Sequence, residues 1–229
     1  MTIVLVLAWI PFVAPIKDAG IAGQFKFLTR RGPWVILAAV FTGNAGVFCW
    51  WSYVSPWLQK TGGWSSNLVP LLMMLAGFGM VIGGLIGGRI TDKWRHAGTA
   101  ALGQTISCIG LLMVLLLPGN QGTTALLTFW IAFGLFFISA PQQLLMTEAG
   151  QGGGELIAGA AVQVAFNFGN AIGSIVGGAM LTTFSMNYRY TGLGGMPLAL
   201  LAVGLLAFYS WRCETDTDAI HRMREIKVD

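Results

Sequence analysis

The chain has few charged residues, and its long apolar runs have none near their middles. Only 10% of its 229 residues are Asp, Glu, Lys or Arg, against about 25% in a typical soluble domain. Apolar residues make up 55%, and there are also 32 glycines. Soluble domains need more polar side chains than this to cover their surface, and disordered chains are much less hydrophobic. The composition excludes both classes and predicts a membrane protein.

Residue types that bind metals or perform catalysis are also scarce. The three cysteines, Cys49, Cys108 and Cys213, do not have the spacing of a metal or redox site, and the two histidines, His96 and His221, lie in polar connections. No glycine-rich segment follows a predicted strand or precedes a Lys-Ser/Thr pair, so a nucleotide loop is excluded. The basic residues form no single patch. We therefore expect no enzyme, no metal, no cofactor and no nucleic-acid partner.

Six apolar runs are long enough to cross a bilayer, which requires about 20 residues in a helix. Helix is the expected state, because the open edge of a sheet cannot be satisfied in lipid. The fold class is therefore an all-α six-helix membrane bundle, with Pro33 and Pro197 predicted at the first positions of the first and sixth helices. A shorter stretch, Ile3–Ala14, resembles the end of a helix. The runs are Trp34–Trp57, Leu68–Gly88, Gly98–Leu117, Thr124–Met146, Leu156–Phe184 and Pro197–Trp211.

The predicted divisions of the chain are a helix remnant at 1–15, a connecting loop at 16–32, the six-helix domain at 33–212 and a tail at 213–229. Basic residues are distributed unevenly between the two sets of connections. Connections 15–32, 89–97, 147–155 and the tail from Arg212 carry 11 Lys or Arg, whereas 58–67, 118–123 and 185–196 carry 2. Because cytoplasmic connections are enriched in Lys and Arg, the first set and the C-terminus are predicted to be cytoplasmic.

The fifth run has two polar or small stripes at helical spacing. The glycine stripe is typical of close helix packing. The amide stripe is open to two interpretations, hydrogen bonds between helices or the wall of a water-filled cavity. The glycine stripe is Gly169, Gly173 and Gly177, and the amide stripe is Gln163, Asn167, Asn170 and Ser174.

Two other runs carry polar groups of the same kind. In the first run, Asn44, Phe48 and Trp51 share a stripe with Ser55, and an amide beside aromatic rings suits sugars or amphipathic molecules. The alternative for Trp50, Trp51 and Trp57 is an aromatic belt at the membrane surface, which fits Trp57 best. In the fourth run, Pro141 predicts a bend beside Gln142 and Gln143. Proton relays normally use ionisable residues inside the membrane, and these runs supply none.

Four segments resemble the major facilitator superfamily. The sequence from Gly88 to Ala97 resembles its loop signature G-x-x-x-D-[RK]-x-G-[RK]-[RK], with matches at Gly88, Asp92 and Lys93. Segments 41–54, 138–143 and 163–169 are similar to arabinose-efflux-permease-type members of its drug:proton antiporter group. The resemblance covers nearly the whole chain, and it maps to the end of helix six and to helices seven to twelve of a twelve-helix transporter.

The resemblance implies a fold, a site and a partner. Two six-helix halves would enclose a central cavity. The residues that would line it are Asn44, Phe48, Trp51, Gln142, Gln143, Gln163, Asn167 and Asn170. Asp92 would dock on a helix N-terminus of the other half, while Arg89, Lys93 and Arg95 set the local charge balance. The expected activity is proton-coupled efflux of sugars or small amphipathic compounds across a bacterial inner membrane.

The expected partners are the lipid bilayer, a small-molecule substrate and either a missing N-terminal half or a second copy of the chain. The first five helices have no counterpart here, so a truncated or split transporter is expected. Two alternatives remain open: a non-transporting membrane protein or scaffold, and a homodimeric half-transporter.

Overall fold

A computed structural model of the chain describes residues 23–214, with side chains to residue 212. Every regular element in that range is helical. The predicted remnant at 1–15, the loop before residue 23 and the tail beyond residue 214 lie outside it. The helices are α1 Arg31–Trp51, α2 Val54–Lys60, α3 Val69–Thr91, α4 His96–Leu116, α5 Gln121–Phe137, α6 Ser139–Ala149, α7 Glu155–Thr183 and α8 Tyr190–Tyr209.

These helices form six segments that are long and apolar enough to cross a membrane, as the sequence predicts. They are Arg31–Lys60, Ser66–Thr91, His96–Leu116, Gln121–Ala149, Glu155–Thr183 and Tyr190–Arg212. The first segment joins α1 to α2, and the fourth joins α5 to α6. The helices α1, α4 and α7 begin at the same end of the bundle at which α3, α6 and α8 end. We call this the basic end, because it carries the loop at 89–95 and the bases at 26–31.

The sixth helix begins earlier than predicted. Pro197 lies inside α8, seven residues after its start at Tyr190. The three glycines in its first turns have low helix propensity, so the sequence does not predict a helix there. Gly195 lets α8 approach α1 so closely that a Cβ there would collide with the backbone oxygen of Gly46. This packing offsets the backbone hydrogen bond that Pro197 cannot donate. Pro33 is the third residue of α1, still within the first turn, where a missing N–H costs little.

Two segments are broken about one turn before a proline. The break between α1 and α2 falls at Ser52 and Tyr53, before Pro56, and the break between α5 and α6 falls at Ile138, before Pro141. A proline cannot donate to the carbonyl four residues earlier, and its ring crowds that turn. The prolines therefore account for both breaks, including the bend that Pro141 predicts.

Two glycine stripes set further close helix contacts. Each stripe repeats every four residues, and a Cβ on any of its glycines would collide with a backbone carbonyl of the facing helix. Such spacing lets helix backbones touch. The second segment thus packs on the fourth in the way that the fifth packs on the first, a symmetry that no sequence repeat reveals. Gly79, Gly83 and Gly87 of α3 face Phe129, Phe133 and Phe137 of α5, and Gly169, Gly173 and Gly177 of α7 face Phe41, Ala45 and Cys49 of α1.

The apolar core consists of two clusters with a polar layer between them. One cluster surrounds Trp50 and Trp57, whose rings meet edge to face at 5.1 Å. The other, nearer the basic end, surrounds Ile36 and Met146. Trp57 is only 1% exposed, so the belt interpretation is wrong for this residue. The proline break redirects α2 and turns Trp57 into the core.

Candidate transport pathway and candidate gate

The helix α7 presents two different faces. Its three stripe glycines are buried against α1, whereas Gln163 and Asn167 are exposed. Gln163 lies eight residues into the helix, about 12 Å from its start, and Asn167 lies about 18 Å from it. These amides are therefore well inside a segment that is long enough to cross the membrane, rather than at its end.

The exposed amides of α7 are joined to α6. The Nε2 of Gln143 donates to the Oε1 of Gln163 at 3.3 Å, and the Nδ2 of Asn167 donates to the backbone oxygen of Gln163 at 2.8 Å. Three of the predicted cavity residues thus meet on one surface, which we call the amide patch: Gln143, Gln163 and Asn167. Its hydrogen-bonding capacity is only partly used, because each amide can make several further bonds.

Ser174, the last residue of the same stripe, is hydrogen-bonded to residues at the break in the first segment. The Oγ atoms of Ser174 and Ser52 lie 2.6 Å apart, and the hydroxyl of Tyr53 donates to the backbone oxygen of Ser174 at 2.9 Å. Asn170 is half-buried, and its Oδ1 has no hydrogen-bond partner in the range 23–212. Away from the basic end, α7 is therefore held to the first segment by polar contacts at the break as well as by its glycines.

Two predicted cavity residues are not on an open surface. Asn44 is 1% exposed, and its Nδ2 donates to the backbone oxygen of Val40 at 2.8 Å. Its Cβ lies beside Gly169, so the close approach of α7 encloses it. Gln142 is 3% exposed. Adjacent helical residues point about 100° apart, so Gln142 faces the core while Gln143 faces outward. Neither side chain therefore lies on the open surface that carries Gln143 and Gln163.

The two aromatic residues of the first segment that are predicted to line the cavity, Phe48 and Trp51, are half-buried. Phe48 meets Phe166 of α7 edge to face, with ring centroids 6.1 Å apart. Trp51 packs at a tilt against Trp50, with centroids 5.9 Å apart. Phe48 therefore contacts α7, and both aromatics are partly covered by the bundle.

The buried polar layer includes residues that the sequence analysis missed. Gln104 of α4 is fully buried, and neither its Oε1 nor its Nε2 finds a partner among the described residues; the same is true of the Ser107 hydroxyl. Gly43 of α1 leaves the space that the Gln104 side chain fills. The spacing of three residues places Gln104 and Ser107 on one face of an apolar helix, and this was the available signal.

The last turn of α3 and the loop after it carry exposed charged side chains. Arg89, Asp92 and Lys93 are exposed, and none of them makes an ion pair with a residue in the described part of the chain. Asp92 ends α3, where its N–H donates to the backbone oxygen of Gly88 at 3.0 Å. Arg95 is half-buried. Next to this loop, His96 Nδ1 lies 3.0 Å from Glu148 Oε1, connecting the start of α4 to the end of α6.

No triplet of His, Cys, Asp or Glu within the described residues could hold a metal ion. The arrangement instead offers a neutral amide surface within the bundle and a charged loop at its basic end. A neutral hydrogen-bonding surface can bind and release a polar molecule, but it cannot carry a proton.

Comparison with curated proteins shows which proteins the chain is similar to. It is 38% identical over 201 residues to "Putative transporter AraJ" of Escherichia coli K12, covering 88% of this chain and 50% of the relative. It is 27% identical to the inner membrane transport protein YdhP of the same organism, covering 80% of this chain and 46% of the relative. It is 24% identical to the uncharacterized MFS-type transporter YbcL of Bacillus subtilis 168, covering 92% of this chain and 54% of the relative.

The resemblance to the major facilitator superfamily is confirmed. No protein-family model matches the chain. The chain spans about half the length of the curated relatives that it matches. With six segments that are long and apolar enough to cross a membrane, it is a multi-pass membrane protein whose sequence matches about half of each of these transporters.

Proposed function

We propose that the chain is the C-terminal half of a secondary transporter that exports sugars or small amphipathic compounds in exchange for protons. The observation that carries this proposal is the amide patch. An exposed amide in contact with lipid loses the hydrogen bonds that water would give it. A surface with three such amides is stabilised if it faces water or a polar substrate, as in the cavity between two transporter halves.

The patch carries no ionisable side chain, so proton coupling would come from the other half. The amide patch would bind the hydroxyl or amide groups of the substrate, and Phe48 and Trp51 would supply apolar contact nearby. Transport would follow from the rocking of one half against the other around the site. The basic end would lie in the cytoplasm of a bacterial cell, because cytoplasmic connections are enriched in Lys and Arg.

The loop after α3 is proposed as the cytoplasmic gate. Asp92 is exposed and has no ion partner among the described residues, so its carboxylate is available to another chain. A carboxylate is stabilised at a helix N-terminus, where partial positive charge collects. Arg89 and Lys93 flank it and would limit how strongly the negative charge attracts other cations.

The proposal is tested by co-expressing the chain with the N-terminal six helices of a closely related transporter. Efflux of labelled pentoses and of a fluorescent amphipathic dye is measured in cells that lack their own exporters. We expect Asp92→Asn to reduce efflux about tenfold while the membrane content of the chain is unchanged. Glu148→Gln is the control, since Glu148 already pairs with His96 within the same half. Equal efflux from Asp92→Asn and the unmodified chain would contradict the role proposed for the gate.

A further inference from the structure

An apolar groove lies beside the start of α1, on the opposite side of that helix from the core. It has a volume of about 640 Å³ and is lined only by apolar residues, which is within the range of pockets that hold organic ligands. Phe25, Leu28 and Trp34 form one wall, and Val164 and Phe168 of α7 form the other. Trp34 is 58% exposed and Phe168 is 64% exposed, so nothing in the described chain covers the groove.

Three basic residues, which we call the basic rim, stand next to the lining residues of the groove in the sequence. Lys26 follows Phe25 in the sequence, and Arg30 and Arg31 lie between Leu28 and Trp34, so the bases alternate with the lining residues. All three are exposed, and none pairs with an acidic group of residues 23–212. The acidic residue at the start of α7, Glu155, is already engaged, because its two oxygens accept from the N–H groups of Gly152 and Gly153 at 3.0 and 3.1 Å.

We propose that this groove binds an anionic glycerophospholipid, with an acyl chain in the groove and the phosphate at Lys26, Arg30 and Arg31. An entirely apolar lining offers a sugar or another polar solute no hydrogen bond, whereas it suits a hydrocarbon chain. Basic pockets at the ends of membrane helices are recognised by anionic headgroups. The Trp34 indole N–H donates to the backbone oxygen of Leu28 at 2.8 Å, which holds the ring where apolar wall and basic rim meet.

A protein helix is a weaker candidate for the occupant. It would cover the apolar wall, but it would leave three basic side chains without counter-charges unless it supplied acidic residues at the same depth. A phospholipid supplies the chain and the negative charge in one molecule. The proposal does not depend on transport, so it can hold or fail separately from the proposed function.

The proposal is tested by native mass spectrometry of the purified full chain in detergent. Phosphatidylglycerol and phosphatidylcholine with the same acyl chains are added in turn. Each basic residue near an anionic headgroup is worth roughly a fivefold change in affinity. The triple variant Lys26→Gln, Arg30→Gln, Arg31→Gln should therefore bind phosphatidylglycerol about a hundredfold more weakly. The control carries the same loss of charge at the same end, at residues that do not adjoin the lining in the sequence: Arg89→Gln, Lys93→Gln, Arg212→Gln.

A second variant tests the groove itself. Ala161→Phe places a ring in the space that the acyl chain would occupy, and it should weaken phosphatidylglycerol binding about tenfold without any change of charge. Equal binding of the two lipids by the unmodified chain, or equal losses in the triple variant and its control, would overturn the proposal.

The occupant in cells is identified by placing p-benzoylphenylalanine at Val164 and irradiating the membranes. A phospholipid adduct on the chain supports the proposal. A cross-linked protein without a lipid adduct would overturn it and would show that the groove is a protein interface.

Discussion

The Gln143 side chain of α6 donates to the Gln163 side chain of α7 across 3.3 Å, and this contact joins two membrane segments at the amide patch. Both side chains remain accessible while doing so, and Asn167 lies one turn farther along α7. The contact is compatible with both interpretations of the stripe. It connects two helices, as interhelical hydrogen bonds do, and it leaves amide groups free, as a cavity wall requires.

The double substitution Gln163→Leu with Asn167→Leu separates these interpretations. If the patch binds substrate, efflux by the co-expressed halves should fall by more than tenfold, because the site loses at least two hydrogen bonds of about 1 kcal/mol each. The amount of chain in the membrane should stay constant, as measured by immunoblot. Gln121→Leu, an exposed amide at the start of α5, is the control. Loss of membrane insertion in the double variant would favour the packing interpretation.

The glycine stripe of α3 predicts a contrast between neighbouring residues. Gly83→Ala should destabilise the bundle by roughly 1–3 kcal/mol, because the new Cβ collides with the backbone oxygen of Phe133. Gly84→Ala should leave stability unchanged or raise it by up to about 1 kcal/mol, since a Cβ there meets nothing within 4 Å and Ala favours helix. Thermal unfolding in detergent measures both. Equal effects of the two substitutions would contradict the contact with α5.

A corresponding pair exists in α7. Gly173→Ala should destabilise the bundle by a similar amount through the backbone of Ala45. Gly159→Ala, with open space at the new Cβ, is its control. If the buried glycine is the sensitive one in both pairs, the result would support the symmetry in how the second and fifth segments pack.

The six helices could be predicted from the sequence because length and hydropathy decide whether a segment crosses a membrane. The direction in which single side chains point could not be predicted from the sequence. Gln142 and Gln143 are neighbours of the same type, and only the packing of α6 shows that one is buried and the other is half-exposed. Gln104 was overlooked because one amide hardly changes the hydropathy of an apolar run. The start of α8 was misplaced because packing against α1 outweighs the low helix propensity of its glycines.

Two basic residues stand at the end of the bundle opposite the basic end, and both make structural contacts. Arg189 Nη2 donates to the backbone oxygens of Leu115 and Leu117 at 3.1 and 2.6 Å, at the end of α4. Lys60 lies over the Tyr188 ring, 5.8 Å from its centroid. Arg189→Leu should destabilise the bundle by about 1–3 kcal/mol, because two carbonyls at the helix end lose a charged donor.

The measurement for Arg189 is thermal unfolding in detergent. Arg89→Leu serves as the control, because Arg89 is exposed and makes no ion pair with the described residues. If the Arg189→Leu and Arg89→Leu variants unfolded at the same temperature, the hydrogen bonds of Arg189 would contribute little to the stability of the bundle.

The proposed cytoplasmic position of the basic end predicts how cysteines placed at the two ends of the bundle react with a labelling reagent. In a variant with its native cysteines replaced by serine, Lys93→Cys should be labelled by a membrane-impermeant maleimide only after the cells are opened. Ser66→Cys, at the start of the second segment, should be labelled in intact cells. The reverse pattern would place the loop after α3 outside the cell and would contradict its assignment as a cytoplasmic gate.

The central claim is that this chain supplies a transporter half with an uncharged amide patch and that proton coupling comes from another half. The most direct measurement is proton-driven transport of a labelled pentose or an amphipathic dye into inverted membrane vesicles. Vesicles that contain the chain together with an N-terminal six-helix half should accumulate substrate when a proton gradient is applied, and vesicles with the chain alone should show only background. Gradient-driven accumulation by the chain alone would contradict the account.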